Sequence, residues 1–206
     1  MPTYRCATGE EAVAAAERVG RPVALHACFP PPARAGDIDA VLLGLEGGAA
    51  VRAGWEELER RVAAAGRAWH GALVQPLVHA GVDVLVGAVA DPDLGPVVGV
   101  GTGGRQAGLA GDVAFALVPV TDVEVDGLFD ASPGVRAWLD GMRGAAPLDR
   151  PALRDVVLRF ALLLEHVPEI AEADLNPVRA MASGATVIDA RIRVAPRPEP
   201  RRAKTW

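Results

Sequence analysis

Lysine is almost missing from this 206-residue chain: Lys204, close to the C-terminal end, is the single one, against twenty arginines. Any chemistry that calls for an ε-ammonium in a folded site must therefore use another group. Cysteine is scarce too. Two thiols, Cys6 and Cys28, cannot build a disulfide framework, and they fit a cytoplasmic setting in which both stay reduced. Long apolar runs are absent; stretches such as 113–120 and 161–164 fall far short of a bilayer span. The N-terminus reads Met-Pro-Thr-Tyr-Arg and turns acidic at Glu10, with no secretory apolar region between. Positive charge is not in excess either. A net charge of −5 and a pI near 5.4 give no electrostatic reason to expect nucleic acid or an anionic membrane as partner. With half its residues apolar and about a quarter charged, the chain is an ordinary globular sequence, long enough for one two-lobed domain or two small ones.

The pattern along the chain predicts a mixed α+β order. Thr8-Gly9-Glu10-Glu11 has capping-box spacing and Gly20 closes the Ala-rich run behind it, so 9–19 reads as a helix. Residues 22–28 read as a buried strand, ended by Pro30-Pro31-Pro32, and 40–45 as another. A helix is expected over 49–64, with Val51, Trp55, Leu58 and Val62 at helical spacing. Strands follow at 71–78, 82–90, 96–100 and 113–118, with Asp91-Pro92-Asp93 as a turn. Thr121 with Glu124 opens a helical stretch that Ser132-Pro133-Gly134 interrupts and that resumes to Met142. The longest helix runs from Pro151 to about His166, with Val156, Val157, Phe160, Leu163 and Leu164 toward the core. Beyond Val194 the Pro- and Arg-rich residues 195–206 read as an extended tail.

The most informative stretch is Glu172-Ala173-Asp174-Leu175-Asn176-Pro177. After a turn at Ser183-Gly184 it is followed by Val187-Ile188-Asp189-Ala190-Arg191. It reads as a β-hairpin. On alternating strands Asp174 and Asn176 share a face, and Asp189 on the partner strand approaches it. An amide oxygen beside a carboxylate is a hard ligand pair suited to Mg²⁺ that keeps most of its water and meets a nucleotide's phosphates. The competing reading is structural: an Asn that fixes the chain before Pro177 and an Asp that pairs with Arg191 or Arg193. The glycines at 101, 103 and 104 follow a strand and precede Asp112, a placement that lets backbone N–H groups approach a phosphate.

These motifs, taken in order, resemble the ATP-grasp domain of NDP-forming acyl-CoA synthetases, among them succinyl-CoA synthetase β chains and ADP-forming acetyl-CoA synthetase β subunits. The likeness rests on Glu10-Glu11-Ala12-Val13 through Pro22-Val23, and on Leu94-Gly95-Pro96-Val97-Val98 into the glycine loop. It continues through Asp112-Val113-Ala114-Phe115 with Pro119, and Val167-Pro168-Glu169-Ile170 into the hairpin. The resemblance implies an α+β ATP-grasp fold of two lobes with a nucleotide cleft, divided here as 1–76 and 77–194. It implies ATP held near His26, Gly101, Gly103, Gly104, Asp112 and Arg191, and Mg²⁺ at Asn176 and Asp189. It also implies support of acid–thiol ligation with a separate CoA-binding α-type subunit, the chain itself being compatible with a homo-oligomer.

Departures from the family pattern accompany the likeness. His26 occupies the position of a phosphate-pairing lysine, and Arg34-Ala35-Gly36-Asp37 stands where a phosphorylatable histidine segment occurs. Gln75-Pro76 replaces an acidic hinge position, while Gly108, Gly111 and Ala116 replace Glu, Lys and Arg. No catalytic residue is therefore assigned. A catalytically degenerate module with a regulatory or scaffolding role is the alternative, as is a cleft that takes another anionic metabolite. His26 and Cys28, two apart on one strand, offer with Cys6 a soft-metal reading, against which stands a simple buried strand histidine.

Overall fold

The computed structural model describes residues 1–20, 22–29, 39–78, 81–104 and 111–196, apart from the side chain of Arg143. The chain divides into two compact units, Met1–His79 and Ala80–Trp206, each with its own apolar core. The fold is α+β with antiparallel sheets.

In the first unit the Thr8 hydroxyl accepts the Glu11 amide at 3.2 Å and Glu11 reaches back to the Ala7 amide at 2.7 Å. This starts helix α1 (Gly9–Val19), which Gly20 ends in a left-handed conformation, φ 64°. The sheet orders strands β1 (Tyr4–Cys6), β4 (Ala72–Pro76), β2 (Val23–Ala27) and β3 (Val41–Leu45). Helix α2 (Gly47–Ala64) packs with α1 on it, burying Val51, Trp55, Leu58 and Val62 as their spacing requires. The helix starts two residues earlier than its pattern suggests. Gly47 and Gly48 look like turn residues, but a Cβ on Gly48 would lie only 3.0 Å from Val13 Cγ1, so glycine there serves the close approach of the helices. Strand β1 escapes a periodicity reading because three residues are too few to display one.

The second unit is built on a sheet ordered β10 (Ala190–Val194), β8 (Ile170–Ala180), β5 (Val82–Asp91), β6 (Gly95–Thr102) and β7 (Ala114–Leu117), with β9 (Ala185–Val187) also on β8. One face, carrying Val84, Val86, Val98, Val100, Ala173 and Leu175, is covered by α3 (Asp122–Ala131), α4 (Pro133–Leu139) and α5 (Arg150–His166). The Thr121–Glu124 capping box starts α3 as expected. In α5 the buried positions are Leu153, Val157, Phe160, Ala161 and Leu164. Leu163, expected toward the core, is 39 % exposed: at 100° per residue, only Leu164 of the leucine run 162–164 reaches the stripe set by Val157 and Phe160.

The hairpin forms as read, with two refinements. Its return strand is split at Ile188–Asp189 into β9 and β10. Strand β8 also carries a bulge. Val84 pairs with Val178 and Val86 with Leu175, so Asn176 and Pro177 together oppose Leu85. The Asn176–Pro177 peptide is cis.

Candidate nucleotide and metal site

The helix-free face of the second sheet carries the polar side chains. In register across it run Phe115, Gly99, Gly87, Asp174 and Arg191, one per strand from β7 to β10. Two glycines thus leave a floor without side chains between an aromatic ring and an ionic pair of positions. Glycine at 99 is required: a Cβ would stand 2.8 Å from the Phe115 ring.

At the end of β6 the chain becomes the glycine loop. Gly103 lies directly against β5; a Cβ there would come within 2.7 Å of the Leu85 nitrogen, and its own N–H donates to the Asp83 carbonyl at 2.9 Å. Gly104 turns with φ 67° and packs on the Asp83 carboxylate, which Arg179 holds through Nε at 2.7 Å. The Gly104 N–H donates to Asn176 Oδ1 at 2.8 Å. The hairpin residue expected to bind metal and the loop expected to bind phosphate are therefore joined directly. Asp189, exposed, lies beside them: its carbonyl accepts the Asn176 N–H at 3.2 Å and its Oδ1 the Ala190 N–H at 2.9 Å.

Asn176 Oδ1 and the Asp189 carboxylate each keep acceptor capacity beyond these bonds. Two oxygen donors of different charge, one on β8 and one in the break between β9 and β10, are of a type that suits Mg²⁺, which takes few protein ligands and retains water. Arg191 sits opposite Asp174 in the same hairpin.

Asp112, expected near the nucleotide, accepts hydrogen bonds from the chain around the loop stem. Its Oδ1 accepts the Thr102 N–H at 3.2 Å, and its Oδ2 accepts the hydroxyls of Thr102 at 2.6 Å and Ser132 at 3.2 Å. Burial works to raise its pKa, but these hydrogen bonds outweigh it and hold the carboxyl below its ordinary range. Thr102, Ser132 and Arg179 were not singled out from sequence. A buried serine inside a helix break was the available signal for Ser132; nothing in the sequence distinguishes Arg179 from the other arginines.

His26 belongs to the first unit, half-buried on β2 opposite Val41 and Leu73. Cys6 and Cys28 are free thiols, and burial pushes both of their pKa values up. Among the described residues no three of His, Cys, Asp and Glu are grouped to hold a metal. The segment 34–37 and Gly108 lie outside the described residues, as does the tail from 197 onward. Among the described residues no helix is long and apolar enough to cross a membrane.

This combination of an α+β frame, a glycine loop and an oxygen-bearing hairpin defines a class of protein. The ATP-grasp domain family matches residues 1–194, and the chain belongs to that family. It is 31 % identical to the β subunit of acetate–CoA ligase (ADP-forming) II of Pyrococcus furiosus, over 90 % of this chain and 80 % of that subunit. It is 32 % identical to the 4-hydroxybutyrate–CoA ligase (ADP-forming) of Nitrosopumilus maritimus, over 93 % of this chain. The chain spans 28 % of the length of that ligase. Among solved structures it resembles the dinucleotide-forming acetyl-coenzyme A synthetase 1 of Ca. Korarchaeum cryptofilum. In the complex of that protein with coenzyme A and Ca-AMPCP the TM-score is 0.88 at 31 % identity, over 94 % of this chain and 85 % of the other. In its complex with coenzyme A and Mg-AMPPCP the TM-score is 0.79, also at 31 % identity, over 93 % and 84 %.

Proposed function

We propose that this chain is the ATP-grasp component of an ADP-forming acyl-CoA ligase. It binds Mg·ATP and supports acid–thiol ligation together with a CoA-binding α-type partner in the cytoplasm. The observation that carries the reading is the 2.8 Å bond from the Gly104 amide to Asn176 Oδ1, which joins the glycine loop to the hairpin residue read as a metal ligand. A cation beside that turn neutralises the phosphate charge that otherwise resists transfer. The relatives' activity as ADP-forming ligases supports the reaction class, and the Mg-AMPPCP complex supports the choice of metal. In this reading the arginine-rich chain meets phosphate with backbone and guanidinium groups, there being no lysine among the described residues.

Calorimetric titration with ATP in the presence and absence of Mg²⁺ is the test. Saturable, Mg²⁺-dependent binding is expected, and Asp189→Ala should remove the Mg²⁺ dependence while leaving the circular dichroism spectrum intact. If Mg²⁺-dependent affinity persists in that variant, the metal ligands lie elsewhere. Absence of ATP binding in the parent protein would leave the degenerate module as the better account.

A further inference from the structure

The helix break at Ser132-Pro133-Gly134 meets the base of the glycine loop. Ser132 is completely buried, and its hydroxyl donates to Asp112 Oδ2 at 3.2 Å. Gly134, at the start of α4, is pressed against the same group: a Cβ there would lie 2.6 Å from Asp112 Oδ2 and closer still to Thr102 Oγ1. Asp112 in turn holds both the amide and the hydroxyl of Thr102, at 3.2 and 2.6 Å. Two of these contacts hold Thr102, immediately before Gly103 and Gly104, and the third ties them to Ser132 in the helix break.

We propose that Asp112, Thr102, Ser132 and Gly134 form a latch between the α3–α4 break and the stem of the glycine loop. In it Asp112 acts as a positioning residue rather than as a contact to the nucleotide. The latch holds Thr102, and through two peptide units it sets where the Gly104 N–H meets Asn176. From the other side, Asp83 and Arg179 hold Gly103 and Gly104. The carboxylate contributes as an acceptor of charge-assisted hydrogen bonds, which are the strong ones. Gly134 contributes by leaving room for it. The role rests on the nucleotide-binding reading above.

Two chemically unrelated substitutions test it. Asp112→Asn replaces an accepting oxygen by a donor, whereas Gly134→Ala adds one methyl and changes no charge. Hydrogen exchange on the peptide covering 102–104, measured without nucleotide, should be faster in both variants. Mg·ATP affinity should fall on the order of tenfold in each, the scale of losing one charge-assisted hydrogen bond. The double variant should be little worse than either single one, because both open the same latch. Ser132→Ala, which removes one of the three bonds and no volume conflict, should give a smaller increase in exchange and guards against misfolding of the others. Lost affinity with unchanged exchange in Asp112→Asn would mean that the carboxylate contacts the ligand itself and would overturn the proposal, as would additive effects in the double variant. If the parent protein binds no ATP, the nucleotide reading falls, yet the exchange measurements still decide whether the latch exists.

Discussion

At the residue scale the telling position is His26. An imidazole near pH 7 is mostly neutral, so it offers a hydrogen bond but little Coulomb attraction to phosphate. If the first unit presents this position to ATP, His26→Lys should tighten binding by roughly 1–3 kcal/mol, as charge-assisted bonds do. Titration of both proteins at matched salt checks this; unchanged affinity, or a lower melting temperature from a poorly paired charge on a half-buried strand, would place phosphate recognition elsewhere. Individual residues were legible in unequal measure. In a chain with 23 glycines, those at 101, 103 and 104 stand out by their place after a strand and before Asp112, and the structure joins Gly104 to Asn176. Asp112 was legible as a position of interest, but an aspartate after a glycine loop looks the same on paper whether it faces a ligand or ties two loop stems. Only the partners Thr102 and Ser132 distinguish the two, and they are remote in sequence.

At the scale of elements, the junction of α5 with the hairpin turn has one residue at its centre. Asp149 caps α5 by accepting the Ala152 N–H at 3.0 Å, and its second oxygen accepts the Gly184 N–H in the turn at 2.8 Å. Its own amide donates to the Met181 carbonyl at 2.7 Å. The amides of Gly184 and Ala152 hold its carboxyl below the usual range. A lowered pKa in the folded state makes its stabilising contribution complete above the unfolded value, about pH 4, and lost as pH falls through the folded value. Asp149→Ala should therefore melt several degrees below the parent protein at pH 7, with the gap closing in acid. A gap that stays constant down to pH 3 would show that the carboxylate charge is not responsible. The elements themselves were largely readable, since capping boxes at Thr8 and Thr121 and the periodicity of α2 are local signals. What escaped was Gly48 as a helix position, set by the close approach to Val13, and Leu163, turned out of the core by the stripe that Val157 and Phe160 fix within the same helix.

At the scale of the whole molecule, the chain consists of two units with separate cores. Phe129 is wholly buried in the second and Trp55 nearly so in the first, where it meets Trp69 edge-on at 5.0 Å. A ligand that binds only folded protein adds stability by mass action, about 2.7 kcal/mol at a concentration one hundred times its Kd. Mg·ATP should thus raise the melting temperature in a concentration-dependent way. Hydrogen exchange should show the protection reaching the 95–104 and 170–191 segments of the second unit. Protection confined to the first unit would contradict the assignment of loop and hairpin to the ligand.

The bulge at Asn176–Pro177 also governs how variation in β8 will read. Buried positions fall at Ala173 and Leu175, then at Val178 and Ala180, so the inward rhythm skips a beat where two residues face Leu85. In a saturation-mutagenesis map, intolerance to polar replacement should fall on the odd-numbered positions 173 and 175 and on the even-numbered ones 178 and 180. A strand counted by twos from Ala173 would assign Arg179 to the interior and Val178 to the surface. Asn176 occupies the seam between these two phases, where neither rule of alternation dictates its neighbours.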